Sequence, residues 1–157
     1  MTKLDMRCAA KTDIDIYFRW ANEVRTRKNS ICTEPIDFET HKSWFYRKLQ
    51  DVASFLYIVE KDALPFGQVR FDLNADVATV NFSLDECFRG QGVGGELLKI
   101  ALRELSCDCK YVNYINAIVK ADNKASNRIF LNLGFRLFES NQITGLNIYR
   151  ATLSRLG

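Results

Sequence analysis

The chain has 157 residues, 47% hydrophobic and 26% charged, the composition of one globular domain with a real core rather than of a disordered chain. Its net charge of +3 suits small polyanionic ligands and is too weak to argue for nucleic acid. No apolar run approaches the roughly 20 residues that span a bilayer and no apolar signal segment opens the chain, so a cytoplasmic protein with no membrane partner is expected.

Residues 4–10 read as a first strand with Met6 and Cys8 on one face. Thr12 sets up a helix: Asp13 and Asp15 suit its positive first turn, and Ile14, Phe18 and Ala21 form its apolar stripe. Residues 22–36 read as a long connection carrying Arg25, Arg27, Lys28, Asn29, Ser30 and the helix-breaking Pro35. A short amphipathic helix starts near Asp37, with Phe38, His41, Phe45 and Leu49 at helical spacing. Residues 55–60, 65–71 and 79–84 are strand-like and separated by turn signals, so antiparallel hairpins are expected. A glycine-rich loop over 85–95 leads into a helix that buries Val93, Leu97, Leu98, Ala101, Leu102 and Leu105. Residues 114–119 form the next strand. Asp122 or Asn123 then caps a last helix carrying Ala125, Ile129, Phe130 and Leu133, which Gly134 stops. Residues 135–139 and 146–152 are closing strands. Without repeats or linkers, residues 1–157 make a single α+β domain with a mixed sheet and four helices. The five cysteines (Cys8, Cys32, Cys87, Cys107, Cys109) are expected to be reduced thiols, and with one histidine they make no metal site.

The loop holds Gly90, Gly92, Gly94 and Gly95, so its backbone can come close to a ligand. A strand, such a turn and a helix N-terminus together make an anion site, most naturally for a phosphate or pyrophosphate. Gly90-x-Gly92-x-x-Gly95 matches the dinucleotide fingerprint in form only, since the next strand ends in Lys120 and not in an acidic residue. The absence of a following Gly-Lys-Ser/Thr excludes a nucleotide-triphosphate loop.

Arg89-x-x-Gly92-x-Gly94 instead resembles the coenzyme A pyrophosphate loop of the GNAT superfamily of N-acetyltransferases. The later run from Asn123 through Asn127 and Phe130 to Gly134-Phe135 resembles the second half of that family's signature. The resemblance implies the GNAT (acyl-CoA N-acyltransferase) fold: a mixed, mostly antiparallel seven-stranded sheet flanked by about four helices, with the strands before and after the loop–helix unit parallel but splayed. It also implies acetyl-CoA as cofactor. Main-chain N–H groups of Gln91, Gly92, Val93, Gly94 and Gly95 would hold the pyrophosphate, while Arg89 either adds charge or solvates the loop rim. Asn123 and Asn127 would contact coenzyme A; the alternatives are a helix cap for Asn123 and a surface position for Asn127. Main-chain groups of Phe82, Ser83 and Leu84 would serve pantetheine and the thioester oxygen, supporting direct transfer through a tetrahedral intermediate.

In such a transfer the nucleophile is the acceptor's own amine. Many family members carry a tyrosine where Phe130 stands and a glutamate where Thr79 stands, so the general acid and base are unassigned. Deprotonating a lysine amine at pH 7 costs roughly 4–5 kcal/mol, against about 1.4 kcal/mol for an amine of pKa near 8. Losing a positioned base typically costs ~10²–10⁴ in rate. A weakly basic acceptor, such as an α-amine or an amino-sugar amine, is therefore expected.

The front end narrows the choice. Trp20-Ala-Asn22-Glu-Val-Arg25, Ser30, Pro35-Ile36, His41-Lys-Ser-Trp44-Phe45 and residues 67–71 resemble the N-acetyltransferases that act on UDP-linked 4-amino deoxy sugars in pseudaminic acid biosynthesis. That resemblance implies a small-molecule nucleotide-sugar acceptor, with Arg25 and His41 as substrate-binding residues. His41 also lies on an apolar stripe, where a core histidine is the equal alternative. Ribosomal-protein N-terminal acetyltransferases share the Trp…Asn…Arg and Trp44 features and are the second reading; a non-catalytic acyl-CoA sensor is the third. A homodimer is allowed and the oligomeric state is left open.

Overall fold

The computed structural model describes residues 3–156. In chain order the elements are β1 (Leu4–Cys8), α1 (Ile14–Asn22), α2 (Val24–Asn29), α3 (Phe38–Gln50), β2 (Ser54–Lys61), β3 (Leu64–Asn74), β4 (Val77–Leu84), α4 (Gly94–Asp108), β5 (Tyr114–Lys120), α5 (Lys124–Asn132), β6 (Arg136–Asn141) and β7 (Leu146–Thr152). The strands form one seven-stranded sheet in the order β1-β2-β3-β4-β5-β7-β6. Every pairing is antiparallel except β4 with β5. This is the expected α+β GNAT fold, with five α-helices where four were expected.

Local chemistry accounts for most of it. Asp62 and Ala63 both take positive φ (52° and 63°), the geometry a two-residue hairpin between β2 and β3 requires. Asp13 anchors the start of α1, its carboxylate accepting from the Ala10 N–H at 2.7 Å and from Arg7 at 2.8 Å. Asp37 accepts from the Thr40 N–H at 3.0 Å and caps α3. The buried face of α1 is Tyr17 and Trp20; Ile14, Phe18 and Ala21, expected as the stripe, are half-buried.

The sheet buries its two faces unequally. On one face α4 and α5 close a large core of Val69, Phe71, Ala78, Leu97, Leu98, Leu105, Ile115 and Phe130. On the other, α1 and α3 cover chiefly β2, packing Tyr17, Trp20 and Phe45 on Leu56 and Ile58. Nothing comparable covers β4, β5 and β7 there: Asn81 is exposed, Tyr114 is 39% and Ile118 45% exposed. A trough is left open beside α1 and α3. Among the described residues no helix is long and apolar enough to cross a membrane, and no group of three or more His, Cys, Asp or Glu could hold a metal.

Candidate functional site

β4 and β5 pair only from Val77↔Tyr114 to Val80↔Ala117; beyond that point each strand continues alone and a gap opens. β4 stays paired to β3 as far as Gly67↔Leu84, and the Asp85 N–H continues the ladder to the Phe66 carbonyl at 2.9 Å. Alternation along an antiparallel ladder then turns the main-chain groups of Asn81 and Ser83 toward β3 and those of Phe82 and Leu84 toward the gap. Ser83, expected to offer its main chain to the thioester, spends it on Gln68 instead. The Leu84 carbonyl is also taken, by Arg89 Nε at 3.2 Å and a terminal nitrogen at 3.0 Å. The N–H and C=O of Phe82 and the N–H of Leu84 therefore face the gap.

Two ion pairs tie the glycine loop to the front-end helices. Asp85 accepts from Trp20 Nε1 at 2.8 Å, from Arg19 at 2.8 Å and from the Cys87 N–H at 3.1 Å. Burial alone would raise its pKa; the Trp20 and Cys87 hydrogen bonds and the Arg19 charge hold it below the usual carboxylate range. At the other edge Arg89 binds Glu23, Thr26 and the Leu84 carbonyl, and it lowers the Glu23 pKa by that hydrogen bond. Arg89, expected to add charge to the pyrophosphate site, has every nitrogen committed to this clamp.

Between the ties, the main-chain N–H groups of residues 90–96 have no protein acceptor among the described residues, and α4 makes its first bond from the Leu97 N–H to the Val93 carbonyl. Gly90 and Gly92 both have φ of +72°, open to glycine at no cost. A Cβ at Gly92 would meet nothing within 4 Å, whereas one at Gly94 would come within 2.9 Å of Ile129 Cδ1. Gly94 thus lets α4 pack on α5, and Gly92 keeps the outer side of the cradle clear. Unpaired, converging amides on a helix N-terminus fit a pyrophosphate, so the residues present fit coenzyme A.

Asn123 caps α5, accepting from the Ser126 N–H at 3.3 Å and donating to Ser126 Oγ at 3.1 Å. Asn127, expected to touch coenzyme A or to lie on the surface, is half-buried and bonds within the protein. Its amide donates to the Lys120 and Asn123 carbonyls at 2.8 and 2.7 Å, and its oxygen accepts from Asn147 and the Tyr149 hydroxyl at 3.0 and 2.6 Å. With all its bonding capacity used, it is a brace between β5, α5 and β7. Phe130 is buried against Phe82, Phe135 and Tyr149 at centroid distances of 5.8, 5.1 and 6.3 Å.

The trough is floored by Thr79, Asn81, Ser83, Asn116 and Ile118, which share a face of β4 and β5 by register. Gln68, almost fully buried beneath them, donates to Asn81 Oδ1 and Ser83 Oγ at 3.2 Å each, and its own Oε1 has no protein partner. The alternation of Gln68 and Arg70 with Val69 and Phe71 was the visible sign of this polar face. Across from Thr79 stands Asp72, the only carboxylate that β3, β4, β5 and β7 present there. It is bound to Lys48 at 2.7 Å, Arg70 at 2.8 Å and Ser54 at 2.9 Å. Burial would raise its pKa, but Arg70 and Lys48 hold it low. It is a fixed anion and a poor base.

His41, expected to bind substrate, is a core residue. It is 2% exposed and lies 5.3 Å from Phe18, 5.6 Å from Trp44 and 5.9 Å from Phe45, centroid to centroid. Burial lowers its pKa, and no face of it reaches the trough. The stretch expected to be a connection contains α2, which is strapped across the gap. Arg89 holds its Glu23 end, and Lys120 at the end of β5 donates to the Lys28 carbonyl at 2.8 Å. Arg25 is exposed on α2 and makes no ion pair among the described residues.

A family model described as an acetyltransferase (GNAT) domain matches residues 3–136. No curated protein matches the chain significantly. Among solved structures, spermidine N-acetyltransferase from Vibrio cholerae in complex with CoA and spermine is similar at TM-score 0.84 and 17% identity, covering 98% of this chain and 97% of that one. RimL, a ribosomal L7/L12 alpha-N-protein acetyltransferase in complex with coenzyme A, gives 0.82 at 18% identity, covering 97% and 95%. A domain from Methanocaldococcus jannaschii gives 0.80 at 20% identity, covering 97% and 99%. At these identities the likeness is one of fold.

Proposed function

The chain belongs to the acetyltransferase (GNAT) domain family and is an acetyl-CoA-dependent N-acetyltransferase; from that premise we propose that its acceptor is the amino group of a nucleotide-linked (UDP) 4-amino deoxy sugar. The observation that carries this reading is the chemistry of the trough. Its strands present one carboxylate, already bound by Lys48 and Arg70, and the adjoining α2 presents the unpaired Arg25. A polyamine entering such a trough would lose hydration without gaining carboxylates in exchange. An acceptor with a weakly basic amine has less charge to desolvate there, and an anionic carrier can regain a partner in Arg25.

Acetyl-CoA supplies the acetyl group as an activated thioester. The amides of residues 91–95 would hold its pyrophosphate, as expected from the loop motif. The N–H groups of Phe82 and Leu84, turned into the gap, are the donors available to a carbonyl oxygen that gains negative charge. Asn81, exposed on the trough floor, is a neutral acceptor for the amine's hydrogens and orients the amine; the Gln68 beside it is buried and holds Asn81 Oδ1 in place. The proton the amine sheds passes to solvent or to the departing sulfur, since Phe130 has none to exchange. Cytoplasmic residence goes with this reading.

Thiol release from saturating acetyl-CoA tests it, with UDP-linked 4-amino sugars, the free 4-amino sugar, spermidine and a peptide with a free α-amine as acceptors. The UDP-linked sugar is expected to give the highest kcat/KM. A peptide that outperforms every UDP-amino sugar would establish the N-terminal acetyltransferase reading in its place. Coenzyme A binding without thiol release for any of these acceptors would overturn the UDP-linked sugar as acceptor.

A further inference from the structure

Arg150, on β7, is held by one hydrogen bond and two aromatic rings, and unlike Arg70 it has no carboxylate partner among the described residues. Its Nε donates to Asn116 Oδ1 at 2.7 Å, which folds the side chain back over β5. The guanidinium carbon lies 4.0 Å from the Phe138 ring centroid and 5.5 Å from that of Tyr114, so aromatic rings from the strands on either side support it. Its terminal nitrogens have no partner among the described residues. Arg136 on β6 stands directly across from it in register, and among the described residues neither arginine forms an ion pair, with Glu139 or any other carboxylate. Like charges facing each other across a strand pair are destabilising. A guanidinium fork already oriented by stacking and one hydrogen bond has little freedom left to lose on binding, and it matches phosphate oxygens two at a time.

The position matters as much as the charge. Asn116 pairs with Thr79, so the fork sits about 10 Å along the strands from the level of Phe82, at the strand rise of about 3.3 Å per residue. It shares the open face with Asn81. We infer that Arg150, stacked on Phe138 and Tyr114 and held by Asn116, forms with Arg136 the binding site for the acceptor phosphate nearest the reacting amine. This deepens the nucleotide-sugar reading and rests on it: one sugar ring separates amine from diphosphate in that acceptor.

Calorimetric titration of inorganic pyrophosphate into protein saturated with coenzyme A tests the site, because the glycine loop is then already filled. Wild type is expected to bind, Arg150→Gln to weaken binding by about tenfold or more, and Arg136→Gln to weaken it less, with coenzyme A affinity unchanged in both. In kinetics, Arg150→Gln should raise KM for a UDP-linked 4-amino sugar by a similar factor at nearly constant kcat, with the KM of the free sugar as the control without phosphate. If Arg150→Gln does not fold, Arg150→Lys keeps a charge without the fork and should still weaken pyrophosphate. Failure of wild type to bind pyrophosphate, or binding by the Arg150 variants that equals wild type, overturns the site. Turnover of UDP-amino sugars with unaltered KM in Arg150→Gln overturns the site and keeps the acceptor. Pyrophosphate binding that depends on Arg150, without turnover of any UDP-amino sugar, keeps the site and overturns the acceptor.

Discussion

His41 is the only histidine in the chain, which makes it a clean reporter of its surroundings. Burial depresses its pKa from the ordinary value of 6.5, so the folded state resists protonating it. Its contribution to stability is whole above that value and is lost as the pH falls from there through the lowered folded value. The melting temperature should therefore drop as the pH falls below about 6.5, and His41→Phe, which keeps the ring stack, should flatten that part of the profile. An equally steep profile in the variant would show that another group is responsible. The glycines separate by the same kind of local reading. Gly94→Ala should destabilise by about 1–3 kcal/mol through its contact with Ile129 Cδ1. Adding Ile129→Val, which deletes that atom, should recover most of the loss. Gly92→Val should cost little stability beyond its positive φ, yet abolish the rise in melting temperature that acetyl-CoA gives the wild type. A normal rise in that variant would remove the loop from the cofactor site.

At the scale of the elements, Asn127 and α2 show what local pattern cannot carry. The amphipathic helices, the hairpins and the glycine loop all follow from periodicity and turn chemistry, and β7 starts and ends where the sequence places it. α2 has no such signature: Val-Arg-Thr-Arg-Lys-Asn has no apolar stripe and none of its residues is buried. It is held by side-chain bonds, with Arg27 donating to the nearby Ala21, Cys32 and Glu34 carbonyls and with Arg89 and Lys120 reaching it from far along the chain. Arg89 and Asn127 were legible as motif positions, but their work is set by neighbours far away in sequence. Asn127→Ala should destabilise by about 1–3 kcal/mol, because it strands the Tyr149 hydroxyl and the Asn147 amide, while acetyl-CoA affinity stays near wild type. A large loss of affinity at unchanged stability would restore Asn127 as a cofactor ligand. Arg89→Ala should speed amide hydrogen exchange throughout α2 and leave α3 and α4 as they are. Protection of α2 that survives the change would mean the strap is held by other means.

Across the whole molecule, the seam between β4 and β5 is a parallel contact in a sheet otherwise paired antiparallel. β1 pairs with β2, β2 with β3 and β3 with β4, and three of these strands follow one another in the chain. The parallel pairing of β4 with β5 can form only after α4 has crossed over, and it closes a longer loop for few bonds. Contacts of that kind are costly to make early, so the β2–β3–β4 meander should assemble first, and the seam late, as should the β1–β2 pairing across its three-helix insertion. The cofactor cleft is the open end of the seam, and it would then be absent from the folding transition state. Acetyl-CoA should accordingly slow unfolding in proportion to its occupancy and leave the refolding rate unchanged, moving one arm of the chevron alone. Refolding that accelerates with cofactor would place the seam in the nucleus instead. For the cell, a late seam would make acetyl-CoA a brake on the protein's loss rather than a template for its making.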